Sequence, residues 1–234
     1  MKQSFTLAVF AFLLGMASCS SSSTKETNST DSSENSDKMA SSSDDGVMRK
    51  YQVKSGMYVT KSMNNPMGVA MENTTITTFD DYGKKEHTEN ISKVEMSGIK
   101  QETHSYSLML GDMIYNWDAG SKTGTKYSIT GMLDKNMDYE KLSDELKKQY
   151  KYEELGTETI LGKECKKISV EVTPGAGAIS HTYKGITMRT EASVGGMKMI
   201  NEVTELQENI TVDGEKFKVP SDVNFTEMKL PGGK

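Results

Sequence analysis

The stretch Glu72-Asn73-Thr74-Thr75-Ile76-Thr77-Thr78-Phe79, which runs directly into Asp80-Asp81-Tyr82-Gly83, decides the fold of this chain. The first part is rich in β-branched side chains, which favour a strand. The second part consists of residue types that form tight turns. A strand that ends in such a turn predicts an antiparallel hairpin, with its second strand over residues 84–95.

The same pattern continues on both sides of this hairpin. Apolar and polar residues alternate over residues 51–60, which predicts a half-buried strand. Residues 101–110 and 113–117 are two more strand-like runs, and the Gly111-Asp112 pair between them predicts a tight hairpin. Residues 122–126 have the composition of another turn.

The second half of the chain returns to strands. Alternation resumes at 167–172, 186–194 and 197–206, with a loop at 174–178 and a hairpin turn at Gly195-Gly196. Asp213-Gly214 predicts a last turn before Phe217-Lys218-Val219-Pro220. The sum is a mainly β (α+β) domain, an antiparallel meander of about nine to eleven strands.

One helix interrupts the strands. Tyr139, Leu142, Leu146 and Tyr150 recur at helical spacing, so the chain from Asp138 to residue 151 predicts a helix with one apolar side. Asp138 suits the N-terminal cap, and Gly156 suits the end of the segment. The apolar side predicts that this helix covers the sheet.

The N-terminus has the layout of a secretory signal. Lys2 precedes an apolar run of about ten residues, which is too short to span a bilayer as a helix. Small residues then lead to Cys19, which resembles the lipobox of bacterial lipoproteins. That resemblance implies that residues 1–18 are removed and that the Cys19 thiol carries a diacylglycerol; the alternative is an ordinary signal peptide.

The residues after Cys19 are of low complexity. Ser, Thr, Asn, Asp, Glu and Lys make up nearly all of residues 20–46, and such a stretch buries too little apolar surface to fold. We interpret residues 19–46 as a lipidated cysteine with a disordered tether, and residues 47–234 as the folded domain. A glycosylated or export-signal segment is the alternative.

Charge and cysteine content limit the function. The formal net charge of −5 and the absence of a basic reading motif argue against nucleic-acid binding. The chain has two cysteines, so lipidation of Cys19 leaves Cys165 without a disulfide partner. We interpret Cys165 as a small buried apolar residue rather than a catalytic thiol.

Several segments together resemble one bacterial superfamily. They are Phe79-Asp80-Asp81-Tyr82-Gly83-Lys84-Lys85-Glu86, Lys122-Thr123-Gly124-Thr125-Lys126, Leu161-Gly162-Lys163-Glu164-Cys165-Lys166-Lys167, Tyr183-Lys184-Gly185-Ile186-Thr187-Met188-Arg189-Thr190-Glu191 and Phe217-Lys218-Val219-Pro220. Over residues 47–229 the chain resembles uncharacterised envelope lipoproteins of the lipoprotein-carrier (LolA/LolB-like) superfamily, common in Bacteroidota.

This resemblance implies a curved antiparallel half-barrel, here with one covering helix, around an apolar cavity that takes acyl chains. It also implies a lipid-anchored protein of the cell envelope, in the outer membrane facing the periplasm or exposed at the surface. We therefore expect non-covalent binding of a lipid or other apolar ligand. The alternative is a structural or protein-interaction module whose cavity is filled by the protein itself; protein partners remain unassigned.

Methionine is unusually frequent, with 17 in the chain. Its flexible, polarizable side chain suits a surface that adapts to apolar ligands, although methionine also serves as ordinary core filler. Thioether binding of a soft metal is a third interpretation. The candidate ligand contacts are Met63, Met67, Met109, Met113, Leu142, Leu146, Met188, Met197 and Met199.

The loop at 62–70 is a further candidate, because Met63 and Met67 place apolar side chains in a strand connection that could gate a cavity or enter a membrane. A loop folded onto the core is the alternative. No zinc-ligand spacing, nucleophile elbow, phosphate loop or dinucleotide motif is present in the sequence. We therefore expect no cofactor, no metal and no enzymatic activity.

Overall fold

The computed structural model describes residues 49–64, 70–96, 98–130, 147–148, 150–173, 176–194 and 197–228. Most of these residues are in strands. The bounds are β1 Gly56–Asn64, β2 Ala70–Asp80, β3 Lys85–Met96, β4 Ile99–Leu110, β5 Met113–Asp118, β6 Thr123–Ser128, β7 Glu153–Ile160, β8 Lys163–Thr173, β9 Ala176–Tyr183, β10 Ile186–Val194, β11 Met197–Glu208 and β12 Asn224–Glu227. Short 3-10 turns occupy Asp81–Gly83 and Gly214–Phe217.

These strands belong to one open, curved sheet of 12 strands. The order is β12-β6-β5-β4-β3-β2-β1-β11-β10-β9-β8-β7, so β1 pairs with β11 and joins two antiparallel meanders. The half-barrel fold class expected from the sequence is therefore confirmed. The 3-10 turn at Asp81–Gly83 connects β2 to β3, as the opening stretch of sequence predicts.

The segment before β1 fastens the two meanders together. The Tyr51 N–H donates to the Tyr82 carbonyl at 3.1 Å, and the Gln52 N–H donates to the Lys184 carbonyl at 3.0 Å. These two carbonyls lie in the β2–β3 and β9–β10 turns, so residues 51–55 do not form the strand that their alternation suggests. The segment instead crosses the end of the sheet.

The core lies beneath this crossing segment. Its buried members are Tyr51, Val53, Phe79, Ile160, Cys165, Ile186, Met188 and Val203. The burial of Cys165 agrees with its interpretation as a small apolar residue, and Cys165 is a free thiol. Burying these side chains stabilises the fold at roughly 25 cal/mol per Å² of apolar surface.

Four further local expectations were wrong. Residues 122–126, expected as a turn, lie mainly in β6, where Tyr115 pairs with Lys126. Gly156 does not end a helix: it lies inside β7, at a register shift and with φ of +86°. Residues 176–178, expected as part of a loop, begin strand β9. The last strand, β12, pairs with β6 in parallel, whereas the sequence suggested only antiparallel neighbours.

The expected covering helix falls largely on residues outside the described part. Lys147 and Lys148 are helical, in agreement with its final turn, and Tyr150 lies in a turn. Tyr139, Leu142 and Leu146 lie outside the described residues. Among the described residues, no helix is both long enough and apolar enough to pass through a bilayer.

Candidate functional site

The register of β1–β6 assigns each side chain to one of two faces, because residues directly opposite on neighbouring strands share a face. Tyr58 pairs with Thr77 and marks one of them, which we call the Tyr58 face. Trp117 pairs with Tyr106 and marks the other, which we call the Trp117 face. The two faces differ sharply in chemistry.

The Tyr58 face carries rows of uncharged polar residues that run across the strands. The first row follows the pairing from β9 to β4 and consists of Ser180, Thr190, Asn201, Ser62, Asn73, Ser92 and Thr103. The second runs from β1 to β4 through Thr60, Thr75, Asn90 and Ser105. The third runs from β2 to β6 through Thr77, Thr88, Ser107, Asn116 and Thr125. We call these three rows the hydroxyl–amide band.

Few of these groups bond to one another. The Thr75 hydroxyl donates to the Asn90 side-chain carbonyl at 3.0 Å, and the Thr77 and Thr88 hydroxyls are 3.5 Å apart. Within the described part of the chain, the side chains of Asn73, Ser92 and Ser105 have no hydrogen-bond partner in the protein. Each is half-buried, so the band offers ligands ready-made donors and acceptors.

The Trp117 face instead holds most of the charged side chains of the same strands and a cluster of packed aromatic rings. His104 lies within hydrogen-bond distance of Glu89 at 3.1 Å and of Glu102 at 2.8 Å. Tyr106 and Trp117 stack with their ring centroids 5.4 Å apart, and Phe225 meets Trp117 edge-on. The C-terminal strand β12 therefore packs part of this face, with Phe225 opposite Gly124.

An apolar row lies next to the band on strands β8 to β11. It pairs Val170 with Ala178, Ala178 with Ala192, and Ala192 with Met199. Each of the last three lies two residues from a member of the band on its own strand, so it shares that face. Met199 is 38% exposed and the other three are half-buried. We call these four residues the apolar row.

The methionine candidates do not form one cluster. Met188 is completely buried in the core. Met109 pairs with Ile114 and Met113 pairs with Leu110, so Met109 and Met113 lie on opposite faces of their hairpin. Both are half-buried. Met199, in the apolar row, is the most exposed of these four.

The side chains of the remaining candidate ligand contacts lie outside the described part of the chain. Met63 lies in β1 and Met197 in β11, paired through the backbone with Glu72 and Val194, but their side chains lie outside the described part. Met67, most of the 62–70 loop, Leu142, Leu146 and Cys19 also lie outside the described residues.

A buried tyrosine network closes the end of the sheet near the core. The Glu86 carboxylate accepts from the Lys50 ammonium at 2.6 Å and from the Tyr51 hydroxyl at 2.6 Å. The Tyr51 and Tyr58 hydroxyls are 3.1 Å apart. Burial raises the pKa of Tyr51 well above its usual value and also raises the pKa of Tyr58, so both stay neutral at physiological pH.

A second polar cluster surrounds Glu158. Its carboxylate bonds the Lys167 ammonium at 2.9 Å and the buried His181 ring at 3.0 Å, while Arg189 approaches to 3.8 Å. Hydrogen bonds from Lys167 and then His181 lower the pKa of Glu158. Among the described residues, no three His, Cys, Asp or Glu side chains are arranged to hold a metal ion.

The sequence contains a signal for the hydroxyl–amide band, but the signal lies in the alternation along whole strands and not in any single residue. In β2 and β3 every second residue from Asn73 to Thr77 and from Thr88 to Ser92 is Ser, Thr or Asn. Strand alternation places such residues together. Joining the strands into rows requires their register, which the structure supplies.

No protein-family model and no curated protein matches this chain. Similar solved structures include an uncharacterized conserved protein from Thermus thermophilus, with 7% identity and a TM-score of 0.48 over 76% of this chain and 92% of that chain. LprF from Mycobacterium bovis has 11% identity and a TM-score of 0.35, over 70% and 90% of the two chains. A putative outer membrane lipoprotein-sorting protein domain from Vibrio parahaemolyticus has 9% identity and a TM-score of 0.34, over 72% and 91%. At these values the likeness is one of overall β architecture, and no ligand, activity or partner follows from it.

Proposed function

We propose that this chain is a lipid-anchored envelope protein, of the Bacteroidota LolA/LolB-like type, whose half-barrel binds a lipid or other apolar ligand without covalent chemistry. Cys19 is the proposed lipidated residue, and residues 20–46 are the proposed tether. The proposed location is the outer membrane facing the periplasm, with surface exposure as the alternative. The proposal includes no catalytic role.

The apolar row is the observation that carries the ligand proposal. Ala178 and Ala192 are small and half-buried, and Met199 beside them is partly exposed. Strands lie about 4.8 Å apart, so the row from Val170 to Met199 measures roughly 14 Å, which suits an extended acyl chain. Methionine adapts its shape to such a chain.

Of the predicted methionine contacts, Met199 fits this proposal best. Met109 is a second candidate, because it pairs with Ile114 and both are half-buried. Met188 serves the core, so its substitution would act on stability before it acts on a ligand.

A structural or protein-interaction module is the second candidate function. It is favoured by the way Tyr51, Val53 and Phe79 fill the end of the sheet with the protein's own side chains. A half-barrel closed in this way at its end needs no ligand to complete its core. The two candidates differ in whether apolar molecules bind to the apolar row.

Titration with a fluorescent fatty-acid analogue, which measures the affinity of the protein for this probe, tests the ligand proposal. The double variant Ala192→Asp and Met199→Asp places charges in the apolar row, and we expect its affinity for the probe to fall at least tenfold. The matched control, Ser193→Asp with Lys198→Asp, alters a neighbouring pair on the other face of the same strands. Equal affinity in both variants, or no probe binding by the parent, would favour the structural module.

The anchor is tested separately. Cys19→Ser removes the acceptor thiol, so we expect loss of labelling by radioactive palmitate and release of the protein from membranes. A parent protein that takes up no label would contradict lipidation at Cys19.

A further inference from the structure

The hydroxyl–amide band has a chemistry that the apolar ligand does not use. Asn73, Ser92 and Ser105 are half-buried and have no protein partner in the described part of the chain. A partly buried polar group that loses its water must find another partner, or the fold loses free energy. These groups therefore favour a ligand that supplies hydrogen bonds.

The residue types of the band define that ligand. Hydroxyl and amide side chains both donate and accept hydrogen bonds, whereas a carboxylate only accepts and an ammonium only donates. A ligand whose own groups both donate and accept matches the band along its whole length. Sugar hydroxyls have this property.

The distribution of charge on the two faces makes an uncharged ligand a better match for the band than an ionic one. Most charged residues of β3 and β4 lie on the Trp117 face, where Lys93 pairs with Glu102 at 3.5 Å and Glu89 with His104 at 3.1 Å. Glu86 lies on the Tyr58 face, but it is already paired with Lys50. The band rows on β1 to β4 contain no charged residue. An anionic or cationic ligand that lies across these four strands would give up its hydration there without gaining an ion pair, since Asp118, opposite Ser105, lies beyond them on β5.

An apolar and aromatic edge borders the band. Tyr127 lies on the Tyr58 face two residues from Thr125, and it pairs with Ile114, which pairs in turn with Met109. Tyr127 is half-buried and presents a ring beside the hydroxyl rows. A sugar ring has apolar C–H groups as well as hydroxyls, so it can contact both surfaces together.

We propose that the hydroxyl–amide band binds a free, uncharged glycan chain that lies across strands β1 to β4. Three strand spacings separate Ser62 from Thr103, roughly 14 Å, which suits an oligosaccharide rather than a single sugar. This site goes beyond the proposed function, because it uses other residues and another ligand chemistry than the apolar row.

Affinity gel electrophoresis of the full chain, in a detergent without a sugar head group, tests the site. The gels contain dextran, mannan, xylan or laminarin as uncharged probes and alginate as a charged probe. We expect retardation by at least one uncharged polymer and none by alginate. The triple variant Asn73→Ala, Ser92→Ala and Ser105→Ala removes three hydrogen-bonding side chains, so we expect its affinity to fall roughly tenfold or more.

The matched control is Glu72→Ala, Thr74→Ala and Lys93→Ala, which truncates neighbouring residues on the Trp117 face. We expect it to bind the glycan like the parent and both variants to bind the fatty-acid probe like the parent. Retardation by alginate equal to that by the neutral polymers would overturn the proposal. The proposal would also be overturned by no retardation at all or by equal losses of affinity in the two variants. Binding seen only when an alkyl glycoside in micelles replaces the free polymers would overturn it as well. None of these results would bear on the proposed binding of an apolar ligand to the apolar row.

Discussion

The Tyr51 hydroxyl donates a 2.6 Å hydrogen bond to the Glu86 carboxylate, and this contact joins the segment before β1 to strand β3. Lys50 contacts the same carboxylate, and the Tyr58 hydroxyl lies 3.1 Å from that of Tyr51. The proposed tether ends a few residues before this segment, so we expect the folded domain to begin at this network. The stability of the half-barrel therefore depends on side chains outside the band.

Removal of the Tyr51 hydroxyl tests this network. Tyr51→Phe keeps the buried ring but removes a hydrogen bond to a charged acceptor, so we expect the free energy of unfolding to fall by about 1–3 kcal/mol. Urea denaturation followed by circular dichroism measures the change. Tyr127→Phe is the control, because Tyr127 is half-buried and outside this network. Equal stability of the two variants would show that the Tyr51–Glu86 bond contributes little.

The same network predicts sensitivity to alkaline pH. Burial raises the pKa of Tyr51 and of Tyr58, so the folded state holds these protons more tightly than the unfolded state does. Their contribution is complete below the unfolded pKa of about 10 and is lost as the pH rises through the folded values. We expect the thermal midpoint to fall between about pH 9 and about pH 11, and to fall less in the Tyr51→Phe variant. Parallel curves for parent and variant would contradict this assignment.

The crossing of the N-terminal segment over the β9–β10 turn requires glycine at 185. Gly185 has φ of +82°, and a Cβ there would lie 2.3 Å from the Lys50 carbonyl oxygen. Gly98 has a similar φ of +78°, with nothing within 4 Å of its Cβ position. We expect Gly98→Ala to cost about 1 kcal/mol of stability from backbone strain, and Gly185→Ala to cost clearly more. Equal losses in chemical denaturation would show that the segment does not press on this turn.

The Cys165 thiol should report on unfolding. It is completely buried, and burial raises its pKa, so little reactive thiolate forms near neutral pH. We expect slow modification by a thiol reagent in native buffer and rapid modification in denaturant, measured by absorbance or mass. The Cys19→Ser variant is used, so that Cys165 is the one thiol. Rapid labelling in native buffer would show that this part of the core opens readily.

The strands and hairpins could be predicted because their signals are local. Glu72 to Gly83 contains both the strand formers and the turn residues of the first hairpin, and Gly111-Asp112 closes another. Residues 122–126 have the composition of a turn, yet they lie mainly in β6. Gly124 there pairs with Trp117 on one side and with Phe225 on the other, and the local sequence shows neither pairing. The parallel contact of β12 likewise depends on a long return of the chain.

The candidate surfaces were harder to predict than the fold. Methionine composition favoured an apolar cavity, yet Met188 belongs to the core, and Met109 and Met113 lie on opposite faces. The hydroxyl–amide band depends on the register of strands distant in sequence, since Asn201 and Ser62 meet only through the β1–β11 pairing. Alternation within one strand shows which residues share a face, but not which strand lies beside it.

Native mass spectrometry of the full mature chain, released from micelles of a sugar-free detergent, tests most directly whether the half-barrel binds an apolar ligand. We expect a reproducible adduct of lipid mass that is lost on organic extraction and is weakened by Ala192→Asp with Met199→Asp. A protein that carries no adduct from its host and takes up no added fatty acid or phospholipid would contradict the binding of an apolar ligand by the half-barrel.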